Sequence, residues 1–352
     1  MRSRAERLFQ LAVVLLLAFA TSGCFTSRYI EQAAAGQNRL NGRGMDIEEI
    51  VQHEYLDKRR RDLLAQVPAI KAFGERHGLK HTKNYERYLY VGNVAVVWVV
   101  SACDPVRFRP KAWRFPITGS ITYTGWFDRK EAVEYAMKLS KGGWDVDVRP
   151  SPAYSTLGWF DDPVLSTMIA PGDEALGELA DVILHETLHA TYYVPGQSTL
   201  NESVASFIGD TLAVRYMDET LGPDSKQKAK FLAGRARGEA RAKRMKAAYA
   251  ELVDLYASEL TKDEKLARKK EIIDRLQLDV MARRPINNAS LIQFKTYGSG
   301  KEEMQQLLEL CGGDMPRLIR TLERLRPIAR DAKPHSDPAT LLRPVVAQGC
   351  AP

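Results

Sequence analysis

The hydrophobic and polar positions in the first half of the chain predict helices followed by short strands. Apolar residues spaced among charges over 30–40 and 47–77 favour helices. Two apolar runs, 88–91 and 94–100, flank Gly92-Asn93, a dipeptide typical of a tight hairpin turn. Further strands are predicted over 120–123, 145–149 and 153–157. Between them a helix is predicted from Asp128 to Gly142-Gly143.

From Asp173 onward the pattern is helical. It predicts helices over 173–193 and 199–221, a long charged helical stretch over 225–281, and two shorter helices that flank Gly312-Gly313. The proline-bearing segment after Arg330 predicts a poorly ordered tail. The expected fold class is therefore α+β and mainly helical, with a small antiparallel or mixed sheet. We expect an N-terminal α/β half over 24–170, a helical half over 171–330 and a tail over 331–352.

The N-terminus carries the features of an export signal. Three arginines, Arg2, Arg4 and Arg7, precede an unbroken apolar run over 11–20 and the small residues 21–23. Cys24 follows at once, so the segment resembles a bacterial lipoprotein signal, although Thr21 stands where that pattern usually has Leu. The resemblance implies cleavage after residue 23, a lipid on Cys24, and an outer-membrane location facing the periplasm, because Phe25 is not Asp. Ordinary secretion is the alternative.

Composition and charge narrow the class of protein. The chain has 352 residues, 45% of them hydrophobic, which is enough for a sizeable core. Its formal charge of +7 is spread along the chain and accompanies no recognisable nucleic-acid motif, so no nucleic-acid partner is expected. The densest basic stretch, 226–246, is typical of a solvated helix face, with anionic lipid headgroups as the alternative contact. Oligomeric state is left open.

Four cysteines allow at most one disulfide if Cys24 carries a lipid. The other three, Cys103, Cys311 and Cys350, have no metal-knuckle spacing. A bridge between two of them and three unpaired thiols both remain open.

The segment His185-Glu186-Thr187-Leu188-His189 carries the strongest chemical signal. Residues four apart on a helix share a face, so His185 and His189 can offer two imidazoles to one metal ion. Glu186 lies beside that pair, where a carboxylate can act as general base toward a metal-activated water. Because a pattern as short as His-Glu-x-x-His also arises by chance, the surrounding sequence is needed to judge whether it marks a metal site. The motif falls inside a predicted helix with regularly spaced apolar residues.

A catalytic zinc needs a third protein ligand and keeps its fourth position for water. No third histidine follows at metzincin spacing. Glu202 lies in the first turn of the next predicted helix, thirteen residues after His189, and Pro195-Gly196 supplies the turn between the two helices. A carboxylate from a second helix that completes two histidines is the ligand set of thermolysin-like enzymes. The sequence therefore predicts one Zn²⁺ per chain on His185, His189 and Glu202.

Other residues have weaker claims on the site. Asp181, one turn before His185, and Asp210 are possible supports for the ligands, although solvated carboxylates are more common in such positions. Tyr192, Tyr193 and Tyr297 are possible donors to an oxyanion, with a core or rim role as the alternative.

The sequence resembles a family of predicted bacterial zinc aminopeptidases, many of them lipoproteins. The resemblance rests on His185-Glu186-x-x-His189-Ala190-Thr191, on Leu200-Asn201-Glu202-Ser203 and on the segment from Ala153 to Pro163. Further positions that look like the family's are Val97-Trp98, Phe115-Pro116-Ile117, Tyr123-x-Gly125-x-Phe127 and Asn287-Asn288-Ala289 with Tyr297. Resemblance covers roughly residues 28–326. It implies a peptide substrate and aminopeptidase activity, which a shared fold does not by itself establish.

The segment 153–163 also has a physical interpretation. In a zincin-like fold an edge strand beside the metal helix pairs with the substrate backbone, and Tyr154 begins the candidate strand. Asp161 or Asp162 could then meet a substrate amine; a packed strand ending in a turn is the alternative.

The expected activity is zinc-dependent peptide hydrolysis at the cell envelope, with Glu186 as general base. One alternative is a zinc endopeptidase or cell-wall peptide hydrolase. Another is a non-catalytic envelope lipoprotein with structural zinc, which the three-ligand set disfavours because structural sites usually have four ligands.

Overall fold

A computed structural model describes residues 24–41, 44–54, 56–92, 95–115, 119–151, 161–295, 298–334 and 336–352. The predicted signal 1–23, Tyr154 and Tyr297 lie outside these residues, as does most of the 153–163 segment. The fold is α+β and 61% helical, with sheets of at most three strands among the described residues. None of the described helices is both long and apolar enough to cross a bilayer.

The N-terminal part begins with four helices: α1, Cys24–Asn41; α2, Ile47–Ile50; α3, Lys58–Leu64; and α4, Val67–Arg76. Short strands frame them: β1, Met45–Asp46; β2, Arg87–Leu89; and β8, Val164–Leu165. β2 pairs antiparallel with β1 and parallel with β8. This small sheet places residues 161–165 beside residues 84–89.

A second sheet has the order β6-β3-β7 and is wholly antiparallel. Its strands are β3, Val97–Cys103; β6, Tyr123–Trp126; and β7, Asp145–Ser151. Two shorter strands, β4, Trp113–Phe115, and β5, Gly119–Ile121, pair with each other, and α5 spans Arg129–Lys141. The side chain of Asp128 accepts a hydrogen bond from the Glu131 amide and so caps α5.

The predicted hairpin around Gly92-Asn93 is wrong. The residues before this dipeptide form β2 and pair with β1 and β8, whereas those after it form β3 in the other sheet. Both edges of β3 are already occupied by β6 and β7. Local turn chemistry was therefore overridden by pairing with strands that are distant in sequence.

The C-terminal part contains nine described helices: α6, Ala175–Thr191; α7, Ser198–Leu221; α8, Lys226–Ala257; α9, Lys262–Asp279; α10, Asn288–Leu291; α11, Lys301–Leu310; α12, Met315–Leu322; α13, Leu325–Asp331; and α14, Pro338–Gln348. The charged stretch 225–281 is thus two helices. Thr261 and Glu264 form a capping box that starts α9.

Basic residues of α8 are in part neutralised by neighbouring segments. Ion pairs join Lys228 to Asp218, Lys230 to Asp173 and Arg244 to Asp279. These ion pairs are compatible with the solvated helix face predicted for 226–246, and contact with anionic lipid headgroups stays the alternative.

The prediction of a poorly ordered tail after Arg330 is wrong for the described residues there. The helix α14 buries Leu341, Leu342 and Val345 in the largest core, and a disulfide joins Cys350 to Cys311. Apolar residues on one face of this short helix outweigh its prolines. Cys103 is a buried free thiol.

The largest core takes side chains from α1 to α4, from α6 and α7, from β2, β8 and the start of β3, from α11 to α14, and from Phe231 of α8. A second core lies between α8, α9 and α10, and a third between the antiparallel sheet and α5. The helices α6 and α7 run through the largest core, which fixes their positions.

Candidate metal centre

The helix α6 presents His185 and His189 on one face, as their spacing of four predicts. Their ring centroids lie 5.0 Å apart. Ala180 and Ile183, both fully buried in the largest core, lie on the opposite face of the helix. Burial of that face sets the direction in which both imidazoles point.

Glu202, in the first turns of α7, lies next to both histidines and adds a carboxylate from the second helix. Its Oε2 lies 3.4 Å from Nε2 of His185 and its Oε1 lies 3.5 Å from Nε2 of His189. The side chain of Glu202 is 64% exposed, whereas that of His189 is 4% exposed. The group therefore has a buried wall made of imidazole and a side open to solvent.

Two glycines let α6 and α7 approach closely enough for this contact. A Cβ on Gly209 of α7 would lie 2.9 Å from Oδ1 of Asp181 and 3.0 Å from Cβ of His185. A Cβ on Gly177 of α6 would lie 2.7 Å from Sδ of Met217 on α7. Since such distances are shorter than carbon contacts allow, larger residues would push the helices apart.

The loop between α6 and α7 is fixed by two buried amides. Asn201 accepts a hydrogen bond from the Val194 amide and donates one to the Val194 carbonyl, each 2.9 Å long. Gln197 donates to the carbonyls of Ala329 and Lys333, both at 2.9 Å. These bonds tie the start of α7, and with it Glu202, to the surrounding structure.

Charges within the group are mutually compensating. Burial lowers the pKa of His185, but the hydrogen bond to Glu202 and the charges of Glu186, Glu202 and Asp181 outweigh it, so that pKa is raised. Burial lowers the pKa of His189 to about 4 despite the charge of Glu202. Burial raises the pKa of Glu202, and its contacts with both histidines lower it further than burial raises it.

The donor atoms of His185, His189 and Glu202 all lie within 4.8 Å of one another, so the group could hold a metal ion. Within the described part of the chain no other group of three such side chains is found. Two imidazole nitrogens and one carboxylate match the ligand set expected from the sequence.

Support behind the ligands comes from Asp181, Asp210 and Arg235. Arg235 of α8 lies 3.3 Å from Asp181 and also contacts Asp210. No hydrogen bond joins Asp181 to His185 among the described residues; Asp181 acts on that ring through its charge. Burial raises the pKa of Asp181, while Arg235 and His185 oppose the rise.

Tyr85 is a neighbour of the site that the sequence analysis did not identify. It is 2% exposed, and its backbone has φ 65°, a left-handed conformation that is uncommon outside glycine. Burial, followed by the charges of Glu186 and Asp162, raises its pKa well above the ordinary value. Its phenol therefore stays protonated near neutral pH. Backbone strain of this kind cannot be seen in a sequence.

The structure separates the two candidate aspartates. Asp162 is 2% exposed, its carbonyl accepts from the Tyr85 amide at 2.7 Å, and its amide donates to Asn84 at 3.1 Å. Asp161 is exposed. Asp162 thus lies in the surroundings of Tyr85, and Asp161 does not share that burial.

The tyrosines after α6 also differ. Tyr192 packs under Arg326, whose guanidinium lies 4.6 Å from the ring centre, and its pKa responds to burial, Arg326 and Glu323. The pKa of Tyr193 is raised by burial and then by Glu202, so Tyr193 is the one near the donor group. The pKa of Tyr123, on β6, is raised by the same two causes, burial and the charge of Glu202.

The profile of a protein family described as "Putative aminopeptidase" matches residues 28–335. The chain belongs to this family. Neither a curated protein nor a solved structure shows a significant match. The description names a peptidase, which is a hydrolase with a peptide substrate.

Several positions through which the sequence resembles this family have structural roles. Asn287 caps α10 and donates to the Val146 carbonyl on the outer edge of β7. Asn288 donates to the carbonyl of Asp104 at 2.9 Å and accepts from Tyr256 at 2.8 Å. These residues cover a sheet edge and do not touch the donor group.

Proposed function

We propose that this protein is a zinc-dependent peptidase, and specifically an aminopeptidase, whose metal is held by His185, His189 and Glu202. The carrying observation is the convergence of these three donors from α6 and α7 within 4.8 Å, in a chain of an aminopeptidase family. Zinc is proposed because two imidazoles and one carboxylate are a recurrent catalytic zinc set, with a fourth position left for water. The exposed side of Glu202 leaves room for that position.

When bound, zinc supplies a Lewis acid that polarises a peptide carbonyl and makes water acidic near neutral pH. Glu186 lies one residue after His185 and is partly buried beside the donors. We assign its carboxylate the role of accepting the proton of the attacking water and passing it to the leaving amine. Tyr85 is close enough to Glu186 for the charge of this carboxylate to raise the pKa of its phenol.

A zincin-like arrangement is part of the proposal. It places the substrate backbone along the strand expected over 154–157, which follows β7 in the sequence. Supporting this, β7 is an edge strand of its sheet and ends at Ser151.

Exopeptidase action requires a partner for a protonated α-amine. Asp162 is the better candidate of the two aspartates because it is buried beside Tyr85, and an unpaired ammonium is costly to desolvate. Its Asn variant should lose cleavage of peptides with a free N-terminus while it retains the metal.

The cellular setting is proposed from the N-terminus: export, a lipid on Cys24 and an outer-membrane site. The disulfide between Cys311 and Cys350 supports an oxidising compartment outside the cytoplasm. Labelled fatty acid should enter the wild-type protein but not Cys24→Ser. Unlabelled, soluble wild-type protein would contradict this part.

The proposed activity is tested with one peptide in two forms, with a free and with an acetylated N-terminus. We expect the free form to be cut faster, a chelator to stop the reaction, and added zinc to restore it. Equal rates of cleavage for both forms would exclude aminopeptidase specificity and favour the alternative of a zinc endopeptidase. Absence of hydrolysis with zinc bound would favour the non-catalytic alternative.

A further inference from the structure

A cleft of about 440 Å³ lies between α8, the segment after α9 and β7, away from the donor group. Three arginines line it, Arg241, Arg283 and Arg284, against a single carboxylate, Asp147. Its floor is apolar and includes Met245, Ile286 and Phe294. A volume of this size is typical of a pocket for a small ligand or a few residues of a peptide.

The positive charge of this cleft is only partly compensated. Arg284 donates to Asp147 and to the Val148 carbonyl, each at 2.9 Å. Arg241 donates to the Val280 carbonyl at 3.1 Å, which leaves its charge unpaired. Arg283 forms no hydrogen bond or ion pair with any residue that the structure describes. Arg149 adds a further cation beside the cleft through its bond to Gln293.

The rim of the cleft includes Met281, which follows the C-terminal end of α9. Met281 has φ 45° and is 86% exposed. Among the described residues, only Met281 and Tyr85 combine a side chain with positive φ. At Met281 this conformation ends α9, since the Met281 amide donates to the Leu278 carbonyl at 3.1 Å and the Ala282 amide donates to the Gln277 carbonyl at 2.9 Å.

Two paths connect the cleft with the donor group. Arg235, which contacts Asp181 behind His185, precedes Arg241 on α8 by six positions, or about 9 Å along the helix. On the open side, the pKa of Tyr123 responds to both Glu202 and Arg149. The cleft and the donor group are thus neighbours of the same helix, α8, and of the same side chain, Tyr123.

We propose that the cleft binds the carboxylates of an acidic peptide whose N-terminal end reaches the metal site, so that the substrates are acidic peptides. This inference rests on the proposed function. Arginines recognise carboxylates through paired hydrogen bonds, and the apolar floor accepts the methylene groups of a Glu side chain. The preference is set at the cleft and not by the metal ligands.

The test measures binding and does not depend on hydrolysis. Two amidated heptapeptides, one ending in three Glu and the other in three Gln, are titrated calorimetrically into the full-length Glu186→Gln protein. We expect the Glu peptide to bind about tenfold more tightly, equivalent to about 1.4 kcal/mol. Adding Arg283→Gln should reduce this preference to below about twofold. The matched control is Arg237→Gln, an exposed arginine of α8 outside the cleft, which should keep the preference.

Equal binding of the two peptides, or an equal loss in the Arg283 and Arg237 variants, would overturn the inference. If the wild type hydrolyses peptides but does not prefer acidic ones, the proposed activity stands and the inference about the cleft is contradicted. A preference that requires Arg283, in a protein that cuts no peptide, would support an acidic-peptide site and contradict the activity.

Discussion

The donor group and the arginine cleft are organised on opposite electrostatic principles. At the donor group, two imidazoles and a carboxylate compensate one another across 3.4 and 3.5 Å. At the cleft, three arginines face one carboxylate. The donor group is partly open to solvent, and a metal cation could replace the contacts between its imidazoles and its carboxylate. The positive charge of the cleft is only partly compensated by the chain, so the cleft suits an anionic ligand.

The two regions also differ in packing. The helices α6 and α7 touch through glycines, so the donor group depends on their separation to within a few tenths of an ångström. The cleft lies over the second core, where exposed arginines can adjust. Small structural changes should therefore disturb the donor group more than the cleft.

The largest expected effect is on catalysis. Glu186→Gln should lower kcat by about 10²–10⁴-fold, the range for loss of a general base, while zinc remains bound. Steady-state kinetics on a peptide with a free N-terminus measure this. Acidic-peptide binding at the cleft should be unchanged in this variant. Full activity in Glu186→Gln would remove its assigned role.

The next effect concerns pH and His189. Because burial lowers its pKa to about 4, the unfolded chain binds a proton between that pH and the ordinary value near 6.5 that the folded, metal-free protein does not bind. Stability should therefore fall as pH falls through this window. His189 should contribute about 2–3 kcal/mol to this loss between pH 7 and about 4.5, at about 1.4 kcal/mol per pKa unit, while the raised pKa of His185 acts in the opposite direction.

Urea unfolding of the metal-free protein at both pH values measures this loss. His189→Asn should lose less stability over the same range, because it lacks the buried imidazole. An equal loss in both proteins would show that other groups cause the pH dependence.

A smaller effect is expected on stability when two glycines, Gly209 and Gly238, are each replaced by alanine. Gly209→Ala should destabilise the protein by about 1–3 kcal/mol, the usual cost of overpacking, and weaken metal binding by displacing α7 from His185. Gly238→Ala, on α8 with no atom within 4 Å of its new Cβ, should instead stabilise by about 0.5–1 kcal/mol. Thermal unfolding of both variants provides the comparison. The same sign for both would contradict the packing account.

The sequence predicted the donor group because its chemistry lies in local spacing. His185 and His189 are four apart on one helix, and Glu202 lies near the start of the next helix, after a Pro-Gly turn. The α+β class followed from the periodicity of apolar positions in the same way. The capping of α5 by Asp128 is equally local.

What depends on distant pairing could not be predicted. The false hairpin at Gly92-Asn93 arose because β3 pairs with strands from 123–126 and 145–151. The cleft combines residues 147, 241 and 283–284, and no spacing rule joins them. Tyr85 escaped notice because its left-handed backbone and its nearness to Glu186 exist only in the folded chain.

The central claim is that His185, His189 and Glu202 bind one zinc ion. Metal analysis of the purified protein tests it most directly, with His185→Ala, Glu202→Ala and Glu186→Gln prepared in parallel. The account predicts about one zinc per chain in the wild type and in Glu186→Gln, and loss of zinc in the other two variants, as for a three-ligand site. Full zinc content in Glu202→Ala, or no zinc in the zinc-supplied wild type, would contradict it.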